Sequence, residues 1–199
     1  MPGTTENLIQ GVGFLYLAPV GTTEPADSAI TTEPASAWRG VGFTKEGVAL
    51  TVSQEYQELD VDQLVDIPGR RLIKREVKIV TSLAEATLEN LAEALNALAN
   101  VEDTAAGAAT PGLSVFEPTS QPSELLGEPD YVMALFDGFA PGGFPRRVIL
   151  RRALQVGELE MKYAKDGQVV YPVEFAGHFV SNEVAPYKVV DQTAAPTGD

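Results

Sequence analysis

Between Glu46 and Ala99 the chain reads as strand, charged connector, strand and helix, and this order limits what the molecule can become. The helix carries the sharpest local pattern. Ser82 is a suitable N-cap with Glu85 three residues on, a capping box that satisfies two orphan backbone donors. Leu88, Leu91, Leu95 and Leu98 follow at helical spacing, with Ala84, Ala92 and Ala99 beside them and Glu85, Glu89 and Glu93 on the opposite edge. Glu85 also suits the positive end of the helix dipole. One amphipathic helix cannot bury its stripe alone, and the remaining sequence offers mainly strands, so the helix is expected to lie across a sheet.

Two strand-like segments precede it. Val48, Leu50, Val52 and Gln54 alternate against Ala49, Thr51, Ser53 and Glu55; Ile73, Val77 and Ile79 alternate against Lys74, Glu76 and Lys78, with Arg75 among the inward positions. Their connector has two signs. Glu55, Glu58, Asp60, Asp62 and Asp66, with Gln63 among them, form an acidic half. Pro68-Gly69 turns the chain, and Arg70, Arg71, Lys74, Arg75 and Lys78 form a basic half. One reading is a solvated hairpin whose halves pair across strands for a few tenths of a kcal/mol each, at about 0.2–1 per pair. The other is a projecting arm suited to docking on a copy of itself.

Further strands are expected over 8–17, 131–136, 147–156, 169–180 and 184–190, with a hairpin signal at Lys165-Asp166-Gly167. In the late strand Val169, Tyr171, Val173, Phe175 and Gly177 share one face. Long loops rich in Pro, Ala, Thr and Gly occupy 18–37 and 100–128, and 192–199 reads as a flexible tail. The 18–37 loop holds the near-repeat GTTEPA and ITTEPA and reads as solvated; Trp38, the single tryptophan, reads as a core or interface anchor. One helix among eight to ten strands, in one domain of 199 residues, predicts a mainly β protein, a β-sandwich or barrel subunit with one flanking α-helix.

The chain has no cysteine, which removes disulfides, thiolate metal sites and cysteine nucleophiles. His178 is its one histidine, so neither a Ser-His-Asp triad nor a histidine metal cluster forms within one chain; in FAGHFV it reads as structural. GVGF at 11–14 and at 40–43 lacks phosphate-loop spacing, and the acidic loop lacks the central glycine and terminal glutamate of an EF-hand. No catalytic residue, cofactor or metal is therefore expected. No membrane-length apolar run and no secretory leader are visible. Net charge is −14, which opposes binding to nucleic acid phosphates. Nine of the fourteen bases lie in two short runs, five from Arg70 to Lys78 and four from Arg146 to Arg152, a concentration that suggests protein contacts.

The series W-x-G-x-G-x-T-x-x-G-V from Trp38 to Val48, E-Y-x-E-L-x-V-D-Q at 55–63 and L-A-E-A-T-L-E-N-L at 83–91 resembles the major tail tube proteins of long-tailed bacteriophages, particularly siphophages of actinobacteria. The resemblance covers about 38–99 and Tyr171 to Gly177. It implies a β-sandwich subunit with one helix, hexameric rings whose inner sheets join into a continuous barrel, and stacking of rings into a tube that conducts DNA without binding it. It further implies a structural role and no enzyme activity, a place in the virion after synthesis in the host cytoplasm, and the tape measure, tail terminator and distal tail proteins as partners. On this view Glu55, Glu58, Asp60, Asp62, Gln63 and Asp66 touch the next ring, with Arg70, Arg71, Lys74 and Arg75 as counter-charges. Leu88, Leu91, Leu95 and Leu98 then seal the helix on the outer face. A capsid-decoration or adhesion module with the same fold is the alternative; an acid-pair hydrolase is a third.

Overall fold

The computed structural model describes residues 8–97, 100–107, 111–118, 127 and 129–194. It is mainly β. The strands are β1 (Phe14–Pro19), β2 (Arg39–Gly40), β3 (Thr44–Leu59), β4 (Gly69–Leu83), β5 (Val101–Thr104), β6 (Leu113–Phe116), β7 (Val132–Phe139), β8 (Pro145–Gln155), β9 (Tyr171–Gly177) and β10 (Tyr187–Asp191). The described residues include one α-helix, α1 (Leu88–Ala94). Eight strands make one antiparallel sheet in the order β2-β1-β7-β8-β9-β4-β3, with β10 added on β8; β5 and β6 form a separate hairpin inside the 100–128 region.

The sheet branches at β8. One edge of β8 pairs with β7 along most of its length. Its other edge meets β10 through Arg146–Leu150 and β9 through Ala153–Gln155. One buried cluster joins Leu15, Leu17, Ala134 and Leu150 of β1, β7 and β8 to Val77, Ile79, Val173 and Phe175 of β4 and β9. Tyr171, Val173 and Phe175 are buried, as the period-2 pattern of the late strand predicts. A second cluster of Ala18, Trp38, Met133, Leu135 and Ile149 lies on the opposite face of β1, β7 and β8. Trp38 is a buried core anchor there.

Several expectations require correction. The first strand starts at Phe14, not residue 8, because Gly11 and Gly13 bring the chain against Phe139 and Phe136 so closely that a Cβ at either would overlap the ring. The Lys165-Asp166-Gly167 turn closes one bridge, Ala164 to Gly167, without flanking strands. The 18–37 loop is not simply solvated: it is strapped across the second cluster. Glu24 pairs with Arg151 at 2.5 Å and Asp27 with Lys188 at 2.6 Å. Arg147 donates to the Thr32 carbonyl at 3.0 Å, and Trp38 Nε1 to the Thr23 carbonyl at 3.2 Å.

The helix differs most. Ser82 is no cap; it belongs to β4 and sits opposite Pro172 of β9, so the strand ladder overrides the local capping signal. Thr87 is the N-cap, its hydroxyl accepting from the Asn90 N–H at 3.2 Å. Glu85 instead accepts the Phe43 N–H at 2.9 Å. The face turned inward is Asn90, Glu93 and the alanines Ala92 and Ala94, not the leucine stripe. Leu91 is partly buried against the main core and Leu88 half-buried, Leu95 is exposed, and Leu98 lies outside the described residues. Glu93, expected on the outer edge, is 4% exposed and 3.2 Å from Arg39 Nη2. Burial pushes its carboxyl above the ordinary value despite the neighbouring guanidinium. Asn90 uses both side-chain N–H groups on the Val41 and Glu85 carbonyls, each at 2.9 Å, and accepts from Arg39.

Candidate assembly surface

β3 and β4 pair from Thr44↔Leu83 out to Leu59↔Gly69. Near the core this hairpin belongs to the sheet: Val77, Ile79 and Leu83 are buried, and β9 covers β4 from Lys78 to Leu83. Among the described residues no strand covers β4 beyond Lys78, and β3 pairs with β4 alone. Apart from Gly69, every residue from Thr51 to Arg75 is exposed. At the ordinary strand rise of about 3.3 Å per residue, the nine residues from Lys78 back to Gly69 carry the tip roughly 30 Å past the last β9 rung. The hairpin is an arm.

All ten residues expected to carry the contact with the next ring fall on this arm. Its acidic side is β3 with the turn: Glu55 and Glu58 on the strand, then Asp60, Asp62, Gln63 and Asp66 at the tip, all exposed. Its basic side is β4, where Arg70, Arg71, Lys74 and Arg75 are likewise exposed. The register sets Glu58 opposite Arg70, Gln57 opposite Arg71, Glu55 opposite Lys74 and Gln54 opposite Arg75. Glu58 meets Arg70 at 2.6 Å. Lys74 turns along its own strand to Glu76 at 3.8 Å, and Lys78 bridges Glu76 at 3.2 Å and Glu174 at 2.7 Å. Hydrogen bonds to these two carboxylates raise the Lys78 ammonium above its ordinary value, and the bond from Lys78 lowers Glu76. Among the described residues Glu55, Arg71 and Arg75 make no ion pair.

Charge counting misses the arm's apolar content. Leu59, Val61, Leu64, Val65 and Ile67 are exposed around the tip, Val65 completely. Val52, Tyr56, Leu72 and Ile73 are exposed along the shaft, where Val52 faces Val77 and Tyr56 faces Leu72. The signal was present in Leu59, Val61, Leu64 and Val65, apolar residues spaced among acids with no helical or strand partner to claim them. Exposed apolar patches mark sites of contact with other molecules. The other basic run is used differently. Arg147 is 2% exposed and grips Asp137 at 2.6 and 2.7 Å, Arg146 grips Asp191 at 2.7 Å, and Arg152 stacks 3.9 Å over the Tyr131 ring. His178 donates from Nδ1 to the Ala176 carbonyl at 2.9 Å and meets Tyr131 edge-on, a structural role.

A branched antiparallel sheet with one small helix and a long two-signed arm defines a class: a structural subunit that presents itself to other protein surfaces. The particular family follows from the sequence profile of phage tail tube proteins, which matches residues 2–194, so the chain belongs to that family. No curated protein matches the chain. The family is structural rather than enzymatic, its members associate with one another and with other tail proteins, and their place is the virion tail.

Proposed function

We propose that copies of this chain close into hexameric rings that stack to form the tail tube, and that DNA leaves the particle through the bore. The tip of each arm, with Asp60, Asp62, Gln63 and Asp66, seats on the next ring, and Arg70, Arg71, Lys74 and Arg75 supply counter-charge there together with Glu55 and Glu58. The tape measure, tail terminator and distal tail proteins meet the ends of this tube, and the subunit is made in the host cytoplasm. The arm is the observation that carries the reading. All residues from Thr51 to Arg75 but Gly69 are exposed, with apolar side chains at the tip, and such a surface supports a contact with another copy. A net charge of −14 supports a bore along which a polyanion slides without sticking.

Negative-stain imaging of the purified protein over rising concentration tests this. Uniform tubes with a central channel are expected. Monodisperse monomers or trimers at every concentration would point to a decoration or adhesion module and end the tube reading.

A further inference from the structure

Arg147, Ile149 and Arg151 alternate on one face of β8, and Lys188 of β10 and Leu135 of β7 stand opposite Ile149 in the two ladders. Three cations therefore ring Ile149, yet it is only 1% exposed. The strap over 20–37 engages each of the three. Arg151 donates to Glu24, Lys188 donates to Asp27, and Arg147 donates to the carbonyls of Ala29 and Thr32. A segment fixed at these points passes over Ile149 and closes the second apolar cluster from above.

The strap is held almost wholly by polar contacts. Among the described residues from 20 to 37, Ile30 alone is buried. The strap's backbone bonds are local turns, from Thr22 to Pro19, Ala29 to Ala26 and Thr32 to Ala29. Its fit to the sheet is loose: a cleft of about 620 Å³ separates Ile30, Thr32 and Glu33 from Phe14, Tyr16 and Phe139. Segments with few buried apolar contacts sit at the low end of local opening free energies. The Asp27–Lys188 and Glu24–Arg151 pairs are partly exposed and so open to screening, whereas the Arg147–Asp137 pair is more deeply set.

We propose that residues 20–37 are an ionically latched cover, which lifts off β7 and β8 as one unit while the sheet beneath stays folded, with Glu24 and Asp27 as the latch. Lifting bares Met133, Leu135 and Ile149 beside Trp38, an apolar surface that the closed strap withholds from solvent and from other chains. Arg147 stays behind, because Asp137 of β7 grips it from within the sheet. The opened strap remains tethered at both ends, by β1 at Pro19 and by β2 at Arg39. The device shares no residue with the arm and does not depend on tube formation.

The single tryptophan is a built-in reporter. Trp38 is buried and donates its indole N–H to the Thr23 carbonyl of the strap at 3.2 Å, so exchange of that proton with solvent requires the strap to lift. Its one indole resonance is followed by NMR in dilute protein, with the β8 amides as the measure of the sheet. Glu24→Gln combined with Asp27→Asn should speed indole exchange about fivefold, as the loss of two partly exposed pairs implies, and leave β8 exchange unchanged. Raising salt from about 0.1 M to about 1 M, which cuts the Debye length from about 10 Å to about 3 Å, should speed it in the unaltered chain and not in the double variant. Indole exchange that ignores both changes overturns the latch. Indole and β8 protons that accelerate together overturn the separate cover, since strap and sheet would then open as one. The salt series on the unaltered chain decides the matter even if the double variant fails to fold.

Discussion

The two basic strands of this chain put similar side chains to opposite uses. On β8 the cations are consumed at home: Arg147 by Asp137 and the strap carbonyls, Arg151 by Glu24, Arg146 by Asp191. On the outer half of β4, Arg71 and Arg75 stand in solvent opposite Gln57 and Gln54 and make no ion pair among the described residues. A base buried against a carboxylate and two carbonyls fixes a fold, because removing it strands the partner's charge. An exposed base on an uncovered edge does little for its own chain's stability and remains available for another. Sequence clustering alone does not separate the two roles; what separates them is whether acids from distant parts of the chain arrive.

Four measurements bear on that contrast. Arg147→Ala should cost about 3–5 kcal/mol in denaturant unfolding, since it leaves the Asp137 carboxylate without its partner and frees the strap; a loss below about 1 kcal/mol would erase the distinction between the strands. Leu91→Ala should cost about 2 kcal/mol, at the low end for a core leucine because the side chain is only half-buried. Leu95→Ala should move stability by no more than about 0.5 kcal/mol, and equal losses at both positions would restore the leucine stripe as the buried face. Reversing Arg70 and Arg71 to Glu should change monomer stability by at most about 1 kcal/mol, as expected for exposed pairs, yet abolish tubes in micrographs. Unaltered tubes from that double variant would take the arm's charges out of assembly.

The smallest effect concerns pH. Burial raises the Glu93 carboxyl above 4.5, so its contribution to stability is present at lower pH and is lost as pH rises through the folded value. Asp191 runs the other way. Its bond from Arg146 lowers it below 3.8, so its contribution is present at higher pH and is lost as pH falls through the folded value. Glu93→Gln should therefore flatten the decline on the rising side and leave the acid limb intact in unfolding curves collected across the carboxylate range. An identical pH profile in that variant would show that Glu93 is not held as described.

Much of this was legible in the sequence, and the misses share a cause. Period-2 alternation located β4 and β9 because burial on one face imposes it. The two-signed connector became a single projecting hairpin because Pro68-Gly69 turns it where the signs change. The capping box at Ser82 failed because β9 lies 89 residues away in sequence, and its ladder captures Ser82 and Leu83 before a helix can start. Glu93 reads as outward because it is charged, and nothing in the sequence singles out Asn90. They are inside because Arg39 and two backbone carbonyls meet them there. The Pro- and Thr-rich loop looked solvated because its anchors, Arg147, Arg151 and Lys188, lie more than a hundred residues downstream.

One feature of β4 has a mechanical consequence. It is a single unbroken strand of fifteen residues, bare at one end and sandwiched between β3 and β9 at the other. A pull on the tip runs lengthwise through that strand into the middle of the sheet, so its cross-strand rungs resist in shear, together. They are not peeled apart one by one. Tension applied at the tip would thus be borne by the most deeply embedded part of the molecule.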